Sequence, residues 1–167
     1  MTLHLKPISE IQPEILKLWR EYSTELRQLR NLPPVSQENY SDNRLDLYLG
    51  YQDHLPYLIE KDDAIAGLVF IRECAPKTMM IGEFFITPEN RGDGTAQEAA
   101  RTALLLHDGK WEIPFQEVNQ RAARFWRSLV ASMAGSVFEE ELREVPGKPE
   151  IPKDVYLTFD LRTNTQS

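Results

Sequence analysis

The stretch Thr78-Met79-Met80-Ile81-Gly82-Glu83-Phe84-Phe85-Ile86-Thr87-Pro88-Glu89-Asn90-Arg91-Gly92-Asp93-Gly94-Thr95-Ala96 decides how this chain folds. Thr78 to Ile86 is an apolar run of strand length. Thr87-Pro88-Glu89-Asn90 ends it, because proline lacks the N–H that sheet pairing needs. Two glycines then stand at the mouth of a helical stretch, Ala96 to Leu106, with Ala99, Ala100, Ala103, Leu104 and Leu106 on or near one face. Small residues let the backbone turn tightly and bring several N–H groups toward one point. Those donors, the helix dipole and the Arg91 guanidinium form a site for a multiply charged phosphate. A helix start without a ligand reads equally well from these residues alone. A P-loop is excluded, since no Lys-Ser/Thr pair follows the glycines, and the dinucleotide fingerprint lacks its third glycine.

Outward from this segment, the pattern alternates between strands and helices. Leu3-His4-Leu5-Lys6-Pro7 reads as a strand. Pro13 to Leu29 carries Ile15, Leu16, Trp19, Tyr22, Leu26 and Leu29 at spacings of three and four, the stripe of an amphipathic helix. Pro13 suits its first turn, and Asn31-Leu32-Pro33-Pro34 stops it. A short helix is predicted from Arg44 to Tyr51. Tyr57 to Glu60 and Ala64 to Ile71, joined by Lys61-Asp62-Asp63, read as a hairpin. On the far side, Lys110 to Phe115 is a short strand, and Asn119 caps a helix of Ala122, Phe125, Trp126, Leu129 and Val130. Ser136 to Arg143 and Val155 to Leu161 alternate as two more strands. The predicted order is β-α-α-β-β-β-α-β-α-β-β, a mixed α/β fold around a single sheet. With no repeat or linker in view, residues 1–167 are read as one domain.

Composition narrows the classes. The 167 residues are 41% hydrophobic and 27% charged, which suits a globular domain with its own core. The single Cys74 cannot form an internal disulfide and fits a reducing, cytoplasmic setting. No window approaches the roughly 20 apolar residues of a membrane span, and Met1 to Arg20 has no apolar signal-peptide core. The net charge of -7 argues against nucleic acid and anionic membranes as partners, and suits a cationic substrate or simply solubility. Three scattered histidines, His4, His54 and His107, and one cysteine stand at no ligand spacing, so no metal site is expected.

Glu83-Phe84-Phe85-Ile86-x-Pro88-x-x-Arg91-Gly92-x-Gly94-x-Ala96 resembles motif A of the GNAT N-acetyltransferases, whose loop reads Q/R-x-x-G-x-G/A. Asn119-x-x-Ala122-x-x-Phe125-Trp126 is similar to the family's second signature, Asn-x-x-Ala-x-x-Phe-Tyr. The element order matches across nearly the whole chain. Trp111-Glu112-Ile113 and Phe125-Trp126-Arg127 look most like a bacterial subgroup of uncharacterised predicted acetyltransferases.

The resemblance implies a single-domain acyl-CoA N-acyltransferase fold, with a predominantly antiparallel sheet splayed at the cofactor site. It implies acetyl-CoA as co-substrate and a small-molecule or peptide amine as acceptor. The pyrophosphate would lie on the loop Arg91, Gly92, Asp93, Gly94, Thr95 and Ala96. The pantetheine arm would pair with the backbone of Phe85 and Ile86 and face Asn119 and Phe125. GNATs are often homodimers. Three positions depart from the pattern. Trp126 replaces the tyrosine that in many GNATs protonates the leaving thiolate, and indole cannot serve as that acid. Asp93 places a carboxylate in the phosphate loop, and Thr95 replaces a branched aliphatic residue.

Glu83 falls on the side of its strand shared with Ile81 and Phe85. A carboxylate there is costly unless hydrogen-bonded or used. It reads either as the general base for the amine, through water, or as a structural contact. Trp19, Tyr22 and Tyr48 lie on helices that flank the acceptor in GNATs, with core packing the plainer role for Trp19. Cys74 reads as a small residue near a strand end. Glu139-Glu140-Glu141 reads as a solvated face, or as the border of a cationic-amine site. Two rivals to the acetyltransferase are a non-catalytic CoA-binding regulatory module of the same fold and a toxin-type enzyme acting on charged tRNA, which the acidity disfavours.

Overall fold

Pro13 opens the first helix at a position where its missing N–H costs nothing, with Glu14 in the first turn and Arg27 in the last. Ile15, Leu18, Trp19 and Tyr22 form the buried face of this helix, α1 (Pro13–Leu29). It ends where the sequence reading puts it, and within the stop that begins at Asn31 the turn is made by Asn31 itself, whose φ of 56° is left-handed. The Asn31 amide bonds the Gln28 carbonyl at 3.1 Å and the Leu32 amide the Arg27 carbonyl at 2.9 Å, the paired bonds of a Schellman cap. Pro34 lies outside the described residues.

The computed structural model describes residues 1–33, 43–135 and 137–161, with backbone alone at Asn43 and Arg44. β1 (Leu3–Pro7) precedes α1. Then come α2 (Asn43–Gly50), β2 (His54–Lys61), β3 (Ala64–Ala75), β4 (Thr78–Ile86), a 3-10 turn (Pro88–Asn90) and α3 (Thr95–Leu104). β5 (Gly109–Gln116), α4 (Gln120–Ala134), β6 (Phe138–Arg143) and β7 (Asp154–Leu161) follow among the described residues. This is the predicted order; Ser136, placed at the start of β6 by the sequence, lies outside the described residues. The strands hydrogen-bond as β1-β2-β3-β4-β5-β7-β6, a mostly antiparallel seven-stranded sheet in which β4 and β5 run parallel. The mixed α/β class is as predicted.

By contacts the chain forms two compact units, and each is described by itself. The first comprises Met1–Arg72 and Glu83–Ala99. Its hairpin turns on Asp62 and Asp63, with φ of 50° and 67°, the double left-handed conformation that matches strand twist. Trp19 is fully buried and stacks on Phe70 at 5.4 Å and 12°. Tyr22 meets the Trp19 edge at 5.4 Å and tilts over Phe85 at 5.5 Å. Gly67 of β3 is there for space: a methyl built on it falls 2.0 Å from the Phe85 carbonyl oxygen. The Phe85 carbonyl therefore faces β3, and by alternation the Ile86 carbonyl faces away from it.

The second unit comprises Glu73–Gly82 and Ala100–Ser167. β5 pairs with β7 along its whole length, from Gly109↔Leu161 to Gln116↔Asp154. On its other side, Lys110–Glu112 pair in parallel with Thr78–Met80. Trp111 is fully buried, and its Nε1–H is satisfied by the His107 carbonyl at 3.0 Å.

The Gly67 contact is with backbone, which cannot rotate away. Gly67→Ala is expected to destabilise the protein by about 1–3 kcal/mol, the range for overpacking. A thermal melt is expected to show a midpoint lower by several degrees, and an unchanged midpoint would mean that β3 and β4 separate easily at this point.

Candidate functional site

β4 hands the chain to a loop through the Thr87 amide, which bonds the Ala66 carbonyl at 2.9 Å. After the 3-10 turn, Arg91 is extended, and Gly92 and Gly94 take left-handed φ of 85° and 89° before α3 begins at Thr95. A methyl on either glycine meets nothing within 4 Å, so glycine is required there by backbone angle and not by crowding. The first amides of a helix lack intrahelical acceptors. Here Gly94 O takes the Glu98 amide at 3.1 Å, and Asp93 Oδ1 takes the Thr95 amide at 3.1 Å and the Thr95 hydroxyl at 2.6 Å. Among the described residues, the amides of Gly92, Gly94, Ala96 and Gln97 have no acceptor in the protein.

The loop's charged groups are both engaged. Asp93 forms an ion pair with Lys61 at the end of β2. The Lys61 ammonium and the Thr95 donors hold its carboxyl well below the usual 3.8. Asp93 thus acts as an Asx turn that shapes the entry to α3, with its charge neutralised by Lys61. Arg91 donates from Nε to the Ile86 carbonyl at 2.8 Å and from Nη2 to both Glu25 oxygens at 3.0 and 2.8 Å. Its guanidinium lies 5.4 Å from the centre of the Phe85 ring. Lys61 and Glu25 escape sequence reasoning, since nothing local marks a partner 32 or 66 positions away.

Glu83 is buried, at 8% exposure, and its Oε2 accepts the Tyr22 hydroxyl at 2.5 Å. The carboxylate is therefore hydrogen-bonded, and the bond joins α1 to β4. Beside it, a cleft of about 420 Å³ is lined from α1 by Lys17, Arg20, Glu21 and Glu25, and from β4 and the turn by Phe85 and Pro88. Two cationic and two anionic side chains balance there, so the chain's net charge is not reproduced in the cleft. Phe85, Ile86 and Arg91 to Ala96 thus come together with Tyr22, Glu83 and Glu25 in the first unit.

Asn119 and Phe125 belong to the second unit. Asn119 Oδ1 caps α4 by accepting the Ala122 amide at 3.1 Å, as its position predicts. Phe125 is half-buried and meets the edge of buried Trp126 at 4.9 Å and 75°. A cleft of about 550 Å³ between α4, β6 and β7 is bordered by Arg127 and Glu140, already paired at 2.6 Å, and by Glu141, paired with Arg143. Glu117 and Arg124 also line it. Of the run Glu139–Glu141, Glu140 and Glu141 are thus ion-paired, and as neighbours on β6 they point to opposite faces of the strand.

The other candidates have local roles. His54 Nδ1 lies 2.7 Å from Asp53 and its ring meets the edge of Tyr48 at 4.8 Å. His107 lies 6.1 Å from the Trp111 ring, and His4 stands opposite Glu60 in β1. Cys74 Sγ sits 3.6 Å from both the Thr78 carbonyl and Glu112 Oε2. Among the described residues, no three His, Cys, Asp or Glu side chains are arranged to hold a metal ion, and no helix is long and apolar enough to cross a membrane.

Known proteins give this geometry its context. The sequence profile of the acetyltransferase (GNAT) family matches residues 15–129, and the chain belongs to that family. It is accordingly an acyltransferase. No protein of curated function matches it in sequence. Among solved structures, an acetyltransferase from Thermus thermophilus is similar, with a TM-score of 0.70 and 13% identity over 96% of this chain and 98% of that one. A GNAT family acetyltransferase from Elizabethkingia anophelis with acetyl-CoA bound gives 0.64 and 14%, over 95% and 98%. A spermidine N-acetyltransferase from Vibrio cholerae in complex with CoA and spermine gives 0.65 and 17%, over 96% of each chain. At these identities the likeness is one of fold.

Asp93 gives a test of the loop. Because its carboxyl is held low in the folded state, the stability it contributes is complete above its ordinary value of 3.8 and is lost as pH falls below it. Urea denaturation of wild type and Asp93→Asn should show a constant gap at neutral pH that narrows only below about pH 4. A gap that shrinks instead between pH 6 and 8 would show that a different group controls the loop.

Proposed function

We propose that this chain is an N-acetyltransferase that moves the acetyl group of acetyl-CoA to a primary amine by direct attack in a ternary complex. The observation that supports it most is the mouth of α3. Two left-handed glycines lead into the helix, and the loop and first-turn amides there lack protein acceptors and are open to a pyrophosphate. Arg91 and Lys61 are already paired, so the amides are the principal anion donors of the loop.

The rest of the cofactor assignment is refined by the backbone. The Phe85 carbonyl is directed at β3 under Gly67. The outward backbone groups that an extended pantetheine amide chain would meet are therefore those of Phe84 and Ile86, with Phe85 contributing its buried ring. Asn119 and Phe125, and the splay of the sheet, enter this proposal from the resemblance alone. The protein's contribution in this reading is orientation of two substrates and one proton transfer.

Glu83 is the proposed base. It takes a proton from the ammonium of the acceptor, through water. The freed amine forms its C–N bond at the thioester carbonyl carbon, the nitrogen gives its second proton to water, the C–S bond breaks, and the thiolate leaves to recover a proton from solvent. Trp126 carries no O–H and takes no part in that protonation. The Tyr22 hydroxyl, 2.5 Å from Glu83, holds the carboxylate in one orientation. The balanced charge of the neighbouring cleft gives no preference among amines by net charge.

Turnover of acetyl-CoA across a panel of small amines and N-terminal peptides, followed by thiol release, tests the reading. Glu83→Gln is expected to lower kcat by about 10²-fold or more and to remove the acidic limb of the pH–rate profile. Saturable CoA binding with no turnover on any amine would instead support a binding module of the same fold.

A further inference from the structure

Glu25 belongs to two places at once. One turn beyond Tyr22 on the same face of α1, it accepts both of its hydrogen bonds from Arg91 Nη2, at 3.0 and 2.8 Å, and it also lines the cleft with Lys17, Arg20 and Glu21. Arg91 is the only residue of the loop Arg91 to Ala96 that carries a positive charge. The pair is only partly shielded, with Arg91 27% and Glu25 42% exposed, so water reaches it and its net strength is modest. A pyrophosphate offers the guanidinium two or more charged oxygens in place of one carboxylate, a stronger and more bidentate partner. The neighbouring Lys61 is held separately by Asp93 and does not compensate for a change at Arg91.

We infer that Glu25 is the carboxylate a cofactor must displace from Arg91, and that its release takes the cleft from one excess cation, Lys17 and Arg20 against Glu21, to charge balance, so that a cationic amine is better accepted once the cofactor is bound than before. The inference rests on the cofactor reading above and adds a specificity residue and an order of binding to it. In the unloaded protein, Arg91 cancels the Glu25 charge. In the loaded protein, Arg91 faces phosphate, and Glu25 joins Glu21 as a cation-binding group one turn away on α1. Coupling of this kind is reciprocal: the cofactor strengthens binding of a cation, and the cation strengthens binding of the cofactor.

Calorimetric titration of CoA into wild type, Glu25→Gln, Arg91→Ala and the double variant tests the displacement. Glu25→Gln should bind CoA about two- to fivefold more tightly, the scale of a half-exposed ion pair. Arg91→Ala should weaken CoA about tenfold, and adding Glu25→Gln to it should change nothing further. Arg91→Gln, which removes the charge but keeps a hydrogen-bonding side chain, replaces Arg91→Ala if the latter fails to fold. Unchanged or weaker CoA binding by Glu25→Gln overturns the displacement. A wild type that binds no CoA contradicts the cofactor reading itself and is thereby distinguished. Titration of 1,4-diaminobutane with and without saturating CoA tests the released charge: CoA should tighten the dication in wild type but not in Glu25→Gln. Equal tightening in both, as from direct pairing with the coenzyme, or none in wild type, overturns it.

Discussion

The hydrogen bond from the Tyr22 hydroxyl to Glu83 is the contact on which the first unit's site depends. A carboxylate on a buried strand face is costly without a partner, and the phenol meets that need from α1. The bond fixes the rotation of α1 against β4, supported by the stack of Trp19 on Phe70 and the tilt of Tyr22 over Phe85. Helical spacing then places Glu25 opposite Arg91. One helix face thus orients both Glu83 and the loop arginine, while the adjacent stripe lines the cleft.

The loop's charge is less simple than a positive mouth. Arg91 and Lys61 are the cations there, and Glu25 and Asp93 already neutralise them. What remains to attract an anion is a set of backbone amides fixed by two left-handed glycines. An anion bound by oriented dipoles requires no surplus of basic residues, so an acidic chain is compatible with a polyanionic cofactor. The net charge of -7 consequently describes neither the loop nor the cleft, where cations and anions balance.

Much of the fold is legible because it rests on local period and turn chemistry. β4 spans the run Thr78–Ile86, the hairpin turns at Asp62 and Asp63, and Asn119 caps α4. The glycine loop is legible for the same reason, since left-handed backbone favours glycine. The partners within the site are not. Alternation puts Glu83 on the inner side of its strand, yet nothing in the chain identifies Tyr22, 61 positions away, as its donor. Arg91 with Glu25, and Asp93 with Lys61, are likewise products of tertiary packing. The end of α1 is legible too, although the device that makes it, a left-handed Asn31 in a conformation usually given to glycine, is seen only in the backbone.

The central claim is that the amides at the mouth of α3 receive the cofactor's pyrophosphate. Amide NMR of uniformly labelled protein, titrated in parallel with CoA and with pantetheine, which lacks the diphosphate, tests it directly. The account predicts large shifts of Gly92, Gly94, Ala96 and Gln97 with CoA that pantetheine does not produce. Loop amides that stay fixed while CoA shifts residues of the α4, β6 and β7 cleft would contradict it.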